Sequence, residues 1–379
     1  MGKRIFHVLL IIVVGFLVYS NTFNVPFHFD DAPNIVENYK LRDLSNSWPP
    51  SGSRWFGFLT FALNYYFGGL NTIGYHVVNL IIHIINAILV YWLVTLTLRT
   101  PYFKVSVISA SEQTQKTDTV PYSPIHPFSS VSGGQAYLPL FIALLFVSHP
   151  IQTQAVTYIV QRFTSLATML YLLSLAGYIK WRESKGQRAE GKEQQAMNNE
   201  QRVKSYAPSS MLYAVSLFSA ILAMKTKEIA FTLPVIVALY EFMFFEGNPR
   251  KRILYLIPII LTMLIIPLSF IGIDKPIGDA IGELREAAQE TEEIPRWSYL
   301  FTQFRVIVTY IRLIFFPINQ NLDYDYPIYH SLFNPEVFLS FLFLLLIFAF
   351  GIYLLCAKRY TLSASRFLSF GIFWFFITL

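Results

Sequence analysis

Long apolar segments separated by short polar ones run along almost the whole chain. The apolar segments lie at residues 5–20, 75–98, 136–148, 163–180, 210–224, 229–246, 252–272 and 336–356, and a ninth begins near 366. A helix needs about 20 residues to cross the ~30 Å hydrocarbon core of a bilayer. The pattern therefore predicts an all-α polytopic membrane protein with about nine or more spans.

The two ends of this pattern carry separate expectations. Lys3 and Arg4 precede the first apolar segment, and no small-residue cleavage site follows it. We therefore predict an uncleaved anchor rather than a signal peptide that is removed. The last segment runs only from Arg366 to Leu379, which is short for a span. We expect the natural protein to be longer than this chain.

The composition also indicates a membrane protein. Hydrophobic residues make up 54% of the 379 positions and charged residues 14%. Soluble domains contain about 25% charged residues, so an ordinary soluble enzyme is excluded. The single cysteine, Cys356, excludes a disulfide framework and a cysteine-based metal site. The net charge of +6 accompanies no nucleic-acid-binding motif, and we expect no nucleic-acid partner.

Lysine and arginine positions predict the orientation, because cytoplasmic loops are enriched in both residue types. One segment is ambiguous: residues 299–318 are apolar but contain Arg305 and Arg312. If this segment does not cross the membrane, 18 of the 29 Lys and Arg residues lie inside, and if it crosses, only 15 do. We therefore predict a re-entrant or surface-lying helix on the outer side, with both arginines on one face.

This orientation divides the loops between the two sides of the membrane. The outer side receives residues 21–74, 149–162, 225–228 and 273–335. The cytoplasmic loops 99–135 and 181–208 are polar and contain few apolar residues that could form a core. We predict that both are disordered.

The most informative motif for chemistry is Phe29-Asp30-Asp31, in the first outer loop. Two adjacent carboxylates beside His28 are costly to place near lipid, where ionisable residues are functional by default. One carboxylate can act as a general base toward a hydroxyl, while the other orients it or holds a metal. The alternative is a solvated loop in which Asp31 forms an Asx turn or caps a helix.

Outer-face cations are candidates for a lipid-phosphate site, because positive charge is disfavoured on that side. Lys225, Lys227 and Glu228 form a turn between two spans, and Arg54 lies in an amphipathic stretch. Further candidates are Arg162, Arg305 and Arg312, with His149 as possible support. The alternatives are cations that anchor helix ends at the headgroups and a histidine that hydrogen-bonds a helix end.

Two weaker patterns remain. A helical stripe of polar residues comprises His76, Asn79, His83 and Asn86. This stripe is a proton relay, a metal line or a polar seam between helices, and we favour the seam. Asp323 and Asp325 form a D-x-D pattern, which in soluble-type glycosyltransferases holds a metal and a nucleotide sugar. On the predicted outer side we expect it only to shape a loop.

The ordered set of motifs resembles one family. The resemblance is to the membrane half of the transmembrane and tetratricopeptide-repeat O-mannosyltransferases, in a bacterial-looking form. It rests on FDD, the arginine-containing stretch after it, YHVVNLIIHIINAIL, HPIQTQAVTYIVQR, KTKEIAFTLPVIVALYEF and QFRVIVTYIRLIFFPINQNLDYDYP, in that order. It covers nearly the whole chain apart from residues 99–135 and 181–208.

This resemblance implies a GT-C fold that takes a sugar from a polyprenyl phosphate on the outer or luminal face. It makes Asp30 the catalytic base and Asp31 its acidic partner. It also implies a lipid-phosphate site formed by Arg54, Arg162, Lys227 and Arg305. Tetratricopeptide repeats are expected beyond Leu379. Gln154 stands where the family often has Glu, which weakens the case for a metal between the outer loops, so the cofactor is left open.

The sequence thus predicts a polyprenyl-phosphate-sugar-dependent glycosyltransferase that moves a mannose-like hexose to a protein hydroxyl with inversion. The implied partners are the lipid-linked donor, the protein acceptor and the bilayer. One alternative is a polymerase or ligase of lipid-linked glycans. Another is a transporter, which would place charges near the bilayer midplane. The expected location is the bacterial cytoplasmic membrane with the site on the periplasmic face, or the endoplasmic reticulum in a eukaryote.

Overall fold

The computed structural model describes residues 2–103, 137–198, 209–270, 294–322, 324–356 and 365–379. Within these ranges the chain forms helices joined by turns and loops, without a β-strand. The all-α prediction is therefore confirmed for this part of the chain. The chain divides into two compact units, one of Met1–Ser148 and Ala155–Ile266 and one of His149–Gln154 and Pro267–Leu379.

Most helices of the first unit follow the predicted apolar segments, but those at Trp55–Gly68 and Thr153–Thr157 lie in loops between these segments. In chain order they are α1 (Gly2–Val18), α2 (Trp55–Gly68), α3 (Thr72–Thr97), α4 (Leu138–Ser148), α5 (Thr153–Thr157), α6 (Arg162–Asn198), α7 (Ser209–Met224), α8 (Leu233–Phe244), α9 (Pro249–Leu261) and α10 (Ile265–Phe270). The helices α5 and α10 lie at the boundary of the two units.

The centre of the first unit is α3, which packs against α1, α4 and α6, while α6 packs along α7. Ile11 of α1, Ala87 of α3 and Ala143 of α4 are fully buried against one another. The small alanines allow close approach of the helices, as is typical of membrane bundles. This core fixes α3 at the centre of the first unit, where it supports the loop segments that carry the predicted site residues.

A glycine brings α2 into direct contact with α6. A Cβ atom at Gly57 would overlap the ring of Phe163, so a larger residue would displace that ring or the helix that carries it. Phe163 also packs edge-on against Phe58 and Phe61 of α2. Because Arg54 directly precedes α2, this contact sets where that arginine lies.

Four helices among the described residues are long and apolar enough to cross a membrane, at Thr72–Thr97, Ile159–Gly186, Pro249–Ser269 and Pro335–Cys356. A fifth results if the bent pair Leu138–Ser148 and Pro150–Thr157 is one span. The prediction of nine or more spans is therefore not confirmed. One reason is local: residues 228–232 form a 3-10 turn, so the helix predicted over 229–246 is only Leu233–Phe244.

Residues 181–198, part of the segment predicted to be disordered, continue α6 to Asn198. This stretch is rich in Glu, Lys, Arg, Gln and Ala and contains no proline, and these residues favour helix even when no apolar face is present. The rest of that segment, and residues 104–135 of the other loop predicted to be disordered, lie outside the described residues.

The second unit contains α11 (Arg296–Phe315), α12 (Pro335–Cys356) and α13 (Ser365–Thr378). α11 packs on α12, and α12 packs on α13. α11 covers the segment predicted to be re-entrant or surface-lying, and it is not among the helices that meet the criteria for a span in the described part of the chain. Its position at the outer surface stays a prediction.

Candidate active site

The two carboxylates of the FDD motif lie in different environments. Asp31 is fully buried, whereas Asp30 is exposed. The backbone N–H of Val160 donates to Asp31 Oδ1 at 2.7 Å, and that of His28 donates to Oδ2 at 3.2 Å. Burial raises the pKa of the Asp31 carboxyl, and these hydrogen bonds only partly offset that effect. Asp31 therefore fastens the turn to the segment before α6, and it does not cap the helical turn that follows it.

Asp30 is held through its backbone. Its N–H donates to Tyr158 Oη at 3.0 Å, and the Tyr158 ring stacks on His28 with 4.9 Å between centroids. Phe29, the residue before Asp30, has a φ of 47°. A bulky residue in this left-handed region is a rare, strained conformation. The exposed carboxylate thus lies on a turn whose backbone is fixed on both sides.

The polar stripe of α3 is buried and bonded to backbone carbonyls. His76 Nε2 donates to Val25 O at 2.9 Å, His83 Nε2 donates to Val147 O at 3.2 Å, and Asn86 donates to Ser165 O at 2.9 Å. These contacts are those expected of a polar seam. We call His28–Asp31 the acid turn. His76 supports the acid turn indirectly, by holding the chain three residues before His28.

Arg162 is a buried residue at the start of α6, with none of its side chain exposed. Nε donates to Asn79 Oδ1 at 2.7 Å, Nη1 to Asn64 Oδ1 at 2.6 Å and Nη2 to Tyr75 O at 2.9 Å. Its guanidinium also lies 4.4 Å from the centroid of Phe61. These contacts tie α6 to α2 and α3, and they argue against the expected role of Arg162 as a phosphate ligand.

Two of the predicted cations, Arg54 and Lys227, interact with Glu228, and Lys225 lies in the same turn. Arg54 forms a two-point ion pair with Glu228, Nε to Oε1 at 3.0 Å and Nη2 to Oε2 at 3.1 Å. Lys225 Nζ donates to Gly52 O at 3.3 Å, and the Phe56 N–H donates to Lys225 O at 2.9 Å. The stretch before α2 and the turn before α8 are therefore joined. We call Arg54, Lys225, Lys227 and Glu228 the cation cluster.

Electrostatics within the cation cluster favour an added anion. Burial, and then the neighbouring Arg54, lower the pKa of Lys227. Burial acts to raise the pKa of Glu228, but hydrogen bonds and charge from Arg54 outweigh it and lower the pKa. Because burial and a neighbouring cation both disfavour the charged form of Lys227, an added anion would favour it.

One short segment, Tyr158–Thr164, contacts both the acid turn and the cation cluster. Tyr158 and Val160 hold the Asp30–Asp31 backbone and carboxylate. Thr164 Oγ1 accepts a hydrogen bond from Lys227 Nζ at 2.7 Å. Val160 and Thr164 are four residues apart, about one helical turn. The segment therefore brings an exposed carboxylate and a set of cations to one part of the first unit.

Three predicted residues belong to the second unit instead. Arg305 pairs with Glu336 at 3.5 Å, and Arg312 Nη1 donates to Ile318 O at 3.3 Å. His149 Nε2 donates to Ile314 O at 2.9 Å and Nδ1 accepts from the Ile151 N–H. With these contacts His149 hydrogen-bonds a helix end, which is the alternative to a role in the site.

The sequence leaves open whether the site binds a metal ion, and the structure shows how the candidate ligand side chains are arranged. In the described ranges there is no group of three or more His, Cys, Asp or Glu side chains placed to hold a metal ion. Gln154 donates to the carbonyls of Asn321 and Leu322. Asp323 of the D-x-D pattern lies outside the described residues.

Sequence reasoning missed Tyr158 and Thr164. Tyr158 is 7% exposed and Thr164 is half-buried. Both lie in or next to the motif HPIQTQAVTYIVQR, but a tyrosine near a membrane interface is common and a threonine in the first turn of a helix is ordinary. Only the contacts with Asp30 and Lys227, which are far away in sequence, distinguish them.

The chain is similar to several proteins that share the name protein O-mannosyl-transferase. The chain is 29% identical to mouse (Mus musculus) Protein O-mannosyl-transferase TMTC4 over 187 residues, 44% of this chain and 22% of that protein. It is 28% identical to human (Homo sapiens) Protein O-mannosyl-transferase TMTC2 over 189 residues, 46% of this chain and 18% of that protein. It is 29% identical to Drosophila melanogaster Protein O-mannosyl-transferase Tmtc3 over 195 residues, 47% and 19% of the two chains.

These matches cover about a fifth of the length of each relative. No family model and no solved structure matches the chain, so the GT-C fold stays a prediction, as does the bacterial-looking form. The resemblance that the ordered motifs indicate is nevertheless confirmed: over a little less than half of its length, this chain is similar to the TMTC O-mannosyl-transferases.

Proposed function

We propose that this chain is the membrane part of a glycosyltransferase that moves a mannose-like hexose from a polyprenyl phosphate to a hydroxyl group of a protein. Its curated relatives bear the name protein O-mannosyl-transferase. The observation that carries the proposal is the segment Tyr158–Thr164, which contacts both the acid turn and the cation cluster.

The chemistry needs a base and an anion site. The acceptor oxygen attacks the anomeric carbon, and the bond from that carbon to the phosphate oxygen breaks. The acceptor proton passes to the exposed Asp30 carboxylate, and the electron pair leaves with the lipid phosphate. A single displacement of this kind inverts the anomeric centre. General-base catalysis contributes about 10²–10⁴-fold, and preorganised cations stabilise the charge that develops on the leaving group.

The cation cluster supplies that anion site in the proposal. Arg54 is 44% exposed and Lys227 is partly buried, so both can contact a headgroup-level phosphate while remaining anchored. Arginine binds phosphate through paired N–H groups, and lysine acts as a point charge. Arg305 and Arg312 stay secondary candidates from the sequence. Asp31 acts by fixing the turn, since both of its carboxylate oxygens already accept backbone hydrogen bonds.

The proposed orientation places this site on the outer face of the membrane. It predicts that position 361 is cytoplasmic and that Tyr324 is external. Single-cysteine labelling with a membrane-impermeant reagent tests this, with native Cys356 replaced first. Labelling of position 361 from outside would show that the re-entrant interpretation of 299–318 is wrong.

The function itself is tested with the purified protein. It is incubated with radiolabelled polyprenyl-phosphate mannose and with candidate acceptor proteins in detergent or in liposomes. We expect label in protein that is released by β-elimination, as for a sugar on Ser or Thr. Label that appears only in lipid-linked glycans would instead identify a polymerase, and no transfer from any polyprenyl-phosphate sugar would contradict the proposal.

A further inference from the structure

Tyr158 contacts the acid turn at three successive residues. Its hydroxyl accepts the Asp30 N–H at 3.0 Å. Its ring stacks on His28 at an interplanar angle of 27°, and Phe29 approaches it edge-on with 6.4 Å between centroids. Since Tyr158 is itself 7% exposed, this contact is a packed one and not a surface encounter.

The backbone that Tyr158 contacts is strained. Phe29 has a φ of 47° although the residue is 64% exposed, so burial of Phe29 does not account for this conformation. Strained residues persist only where the surroundings hold them, and they concentrate at functional sites. Besides hydrogen bonds within the turn itself, two contacts with the segment before α6 hold it: the Asp31 carboxylate accepts the Val160 N–H, and the Asp30 N–H donates to Tyr158.

The hydrogen bond to Asp30 N–H helps to hold the backbone from which the carboxylate projects. It fixes the peptide plane between Phe29 and Asp30, and with it the position of the Asp30 Cα. A general base must lie within about 2.6–3.2 Å of the group whose proton it takes. Displacement of a reacting group by about 1 Å can cost 10²-fold in rate. A loss of this anchor is therefore expected to act on the chemical step.

We propose that Tyr158 is a positioning residue that orients Asp30 through its hydroxyl, an inference that rests on the proposed function of Asp30 as the base. The ring and the hydroxyl of Tyr158 act separately. The ring packs the turn against the segment before α6, and the hydroxyl sets the angle at which Asp30 is presented. Tyr158→Phe removes the hydroxyl that orients Asp30 and keeps the ring that packs the turn.

The chain offers a matched control. Tyr19 is also a buried tyrosine, 4% exposed, and its hydroxyl has no hydrogen-bond partner among the described residues. Its ring packs edge-on against His83 of α3. Tyr19→Phe therefore removes a buried hydroxyl without breaking a hydrogen bond. We expect Tyr158→Phe to lower kcat about ten- to hundredfold with the donor KM unchanged, and Tyr19→Phe to leave both unchanged.

Two further measurements separate positioning from a general structural role. In the Asp30→Asn background, Tyr158→Phe should cause no additional loss, because the group that it orients is gone. Hydrogen–deuterium exchange of a peptide covering residues 28–34 should be faster in Tyr158→Phe than in the parent and in Tyr19→Phe. This second measurement needs no substrate.

The outcomes are distinguishable. If Asp30→Asn is inactive but Tyr158→Phe has the kcat and exchange rates of the parent, the positioning role is wrong and the proposed function stands. If Tyr158→Phe raises the donor KM as much as it lowers kcat, or lowers the unfolding temperature, its role is structural and the inference is overturned. If Asp30→Asn retains parental kcat, the assignment of the base fails first.

Discussion

Replacement of Arg162 by methionine separates a buried structural arginine from a phosphate ligand. Methionine keeps most of the length and apolar surface of the side chain and removes its five N–H donors. In the parent, these donors reach the side-chain oxygens of Asn79 and Asn64 and the carbonyls of Thr60 and Tyr75. The variant therefore leaves these acceptors without their partner and detaches α6 from α2 and α3.

The size of the effect follows from these contacts. A buried acceptor that loses its donor costs about 1–3 kcal/mol. Asn79 is fully buried and Asn64 is partly buried, so the two amide oxygens together give about 2–4 kcal/mol of lost stability. Loss of the cation–π contact with Phe61 adds about 0.5–2 kcal/mol. A loss of this size is large for a single substitution.

The assay compares thermal unfolding in detergent with donor KM at a permissive temperature. Arg162→Met should unfold at a clearly lower temperature, with the donor KM of the remaining folded enzyme unchanged. Arg305→Met is the control for thermal stability alone, because the pair of Arg305 and Glu336 is 34% and 58% exposed and such pairs contribute about 0–1 kcal/mol. Parental stability together with a raised donor KM in Arg162→Met would refute the structural role.

Three further predictions follow from other contacts of the first unit. Glu241→Gln should lower stability by about 3–5 kcal/mol in thermal unfolding, since the fully buried Glu241 pairs with Arg182 and Arg252; an unchanged unfolding temperature would contradict this. Because the pKa of Lys227 is lowered, donor KM should rise with pH earlier than for an exposed lysine, and Lys227→Arg should shift that rise to higher pH. Phe29→Asn should be more stable than Phe29→Ile by about 1–3 kcal/mol, because Asn tolerates positive φ; equal stability would argue against strain.

The positions of the long apolar helices could be predicted from sequence, because their periodicity and length depend only on local composition. α3 and α12 lie close to the segments predicted at 75–98 and 336–356. The helical continuation of α6 could not be predicted from hydropathy, which reports apolar surface and not the helix preference of charged residues. The short helix at Leu233–Phe244 likewise depends on the turn before it.

The residue types of the candidate site could be predicted from sequence, but the long-range contacts between them could not. The FDD motif and the lysines of the 225–228 turn stand out by charge alone. That Asp31 is buried and Asp30 exposed depends on Val160, which is 129 residues away from Asp31. The burial of Arg162 depends in the same way on Asn79 and Asn64 of other helices. Long-range contacts decide which of the charged residues are anchors and which remain open to a substrate.

The measurement that tests the central claim most directly is the turnover of Asp30→Asn with a polyprenyl-phosphate mannose donor. Asparagine keeps the shape of the side chain and the backbone hydrogen bond to Tyr158, but it cannot take a proton from a hydroxyl. We expect a folded variant that binds the donor with parental affinity and loses about 10²–10⁴-fold in kcat, with Asp31→Asn losing less. An Asp30→Asn variant that retains more than about a tenth of parental kcat would contradict the assignment of Asp30 as the base.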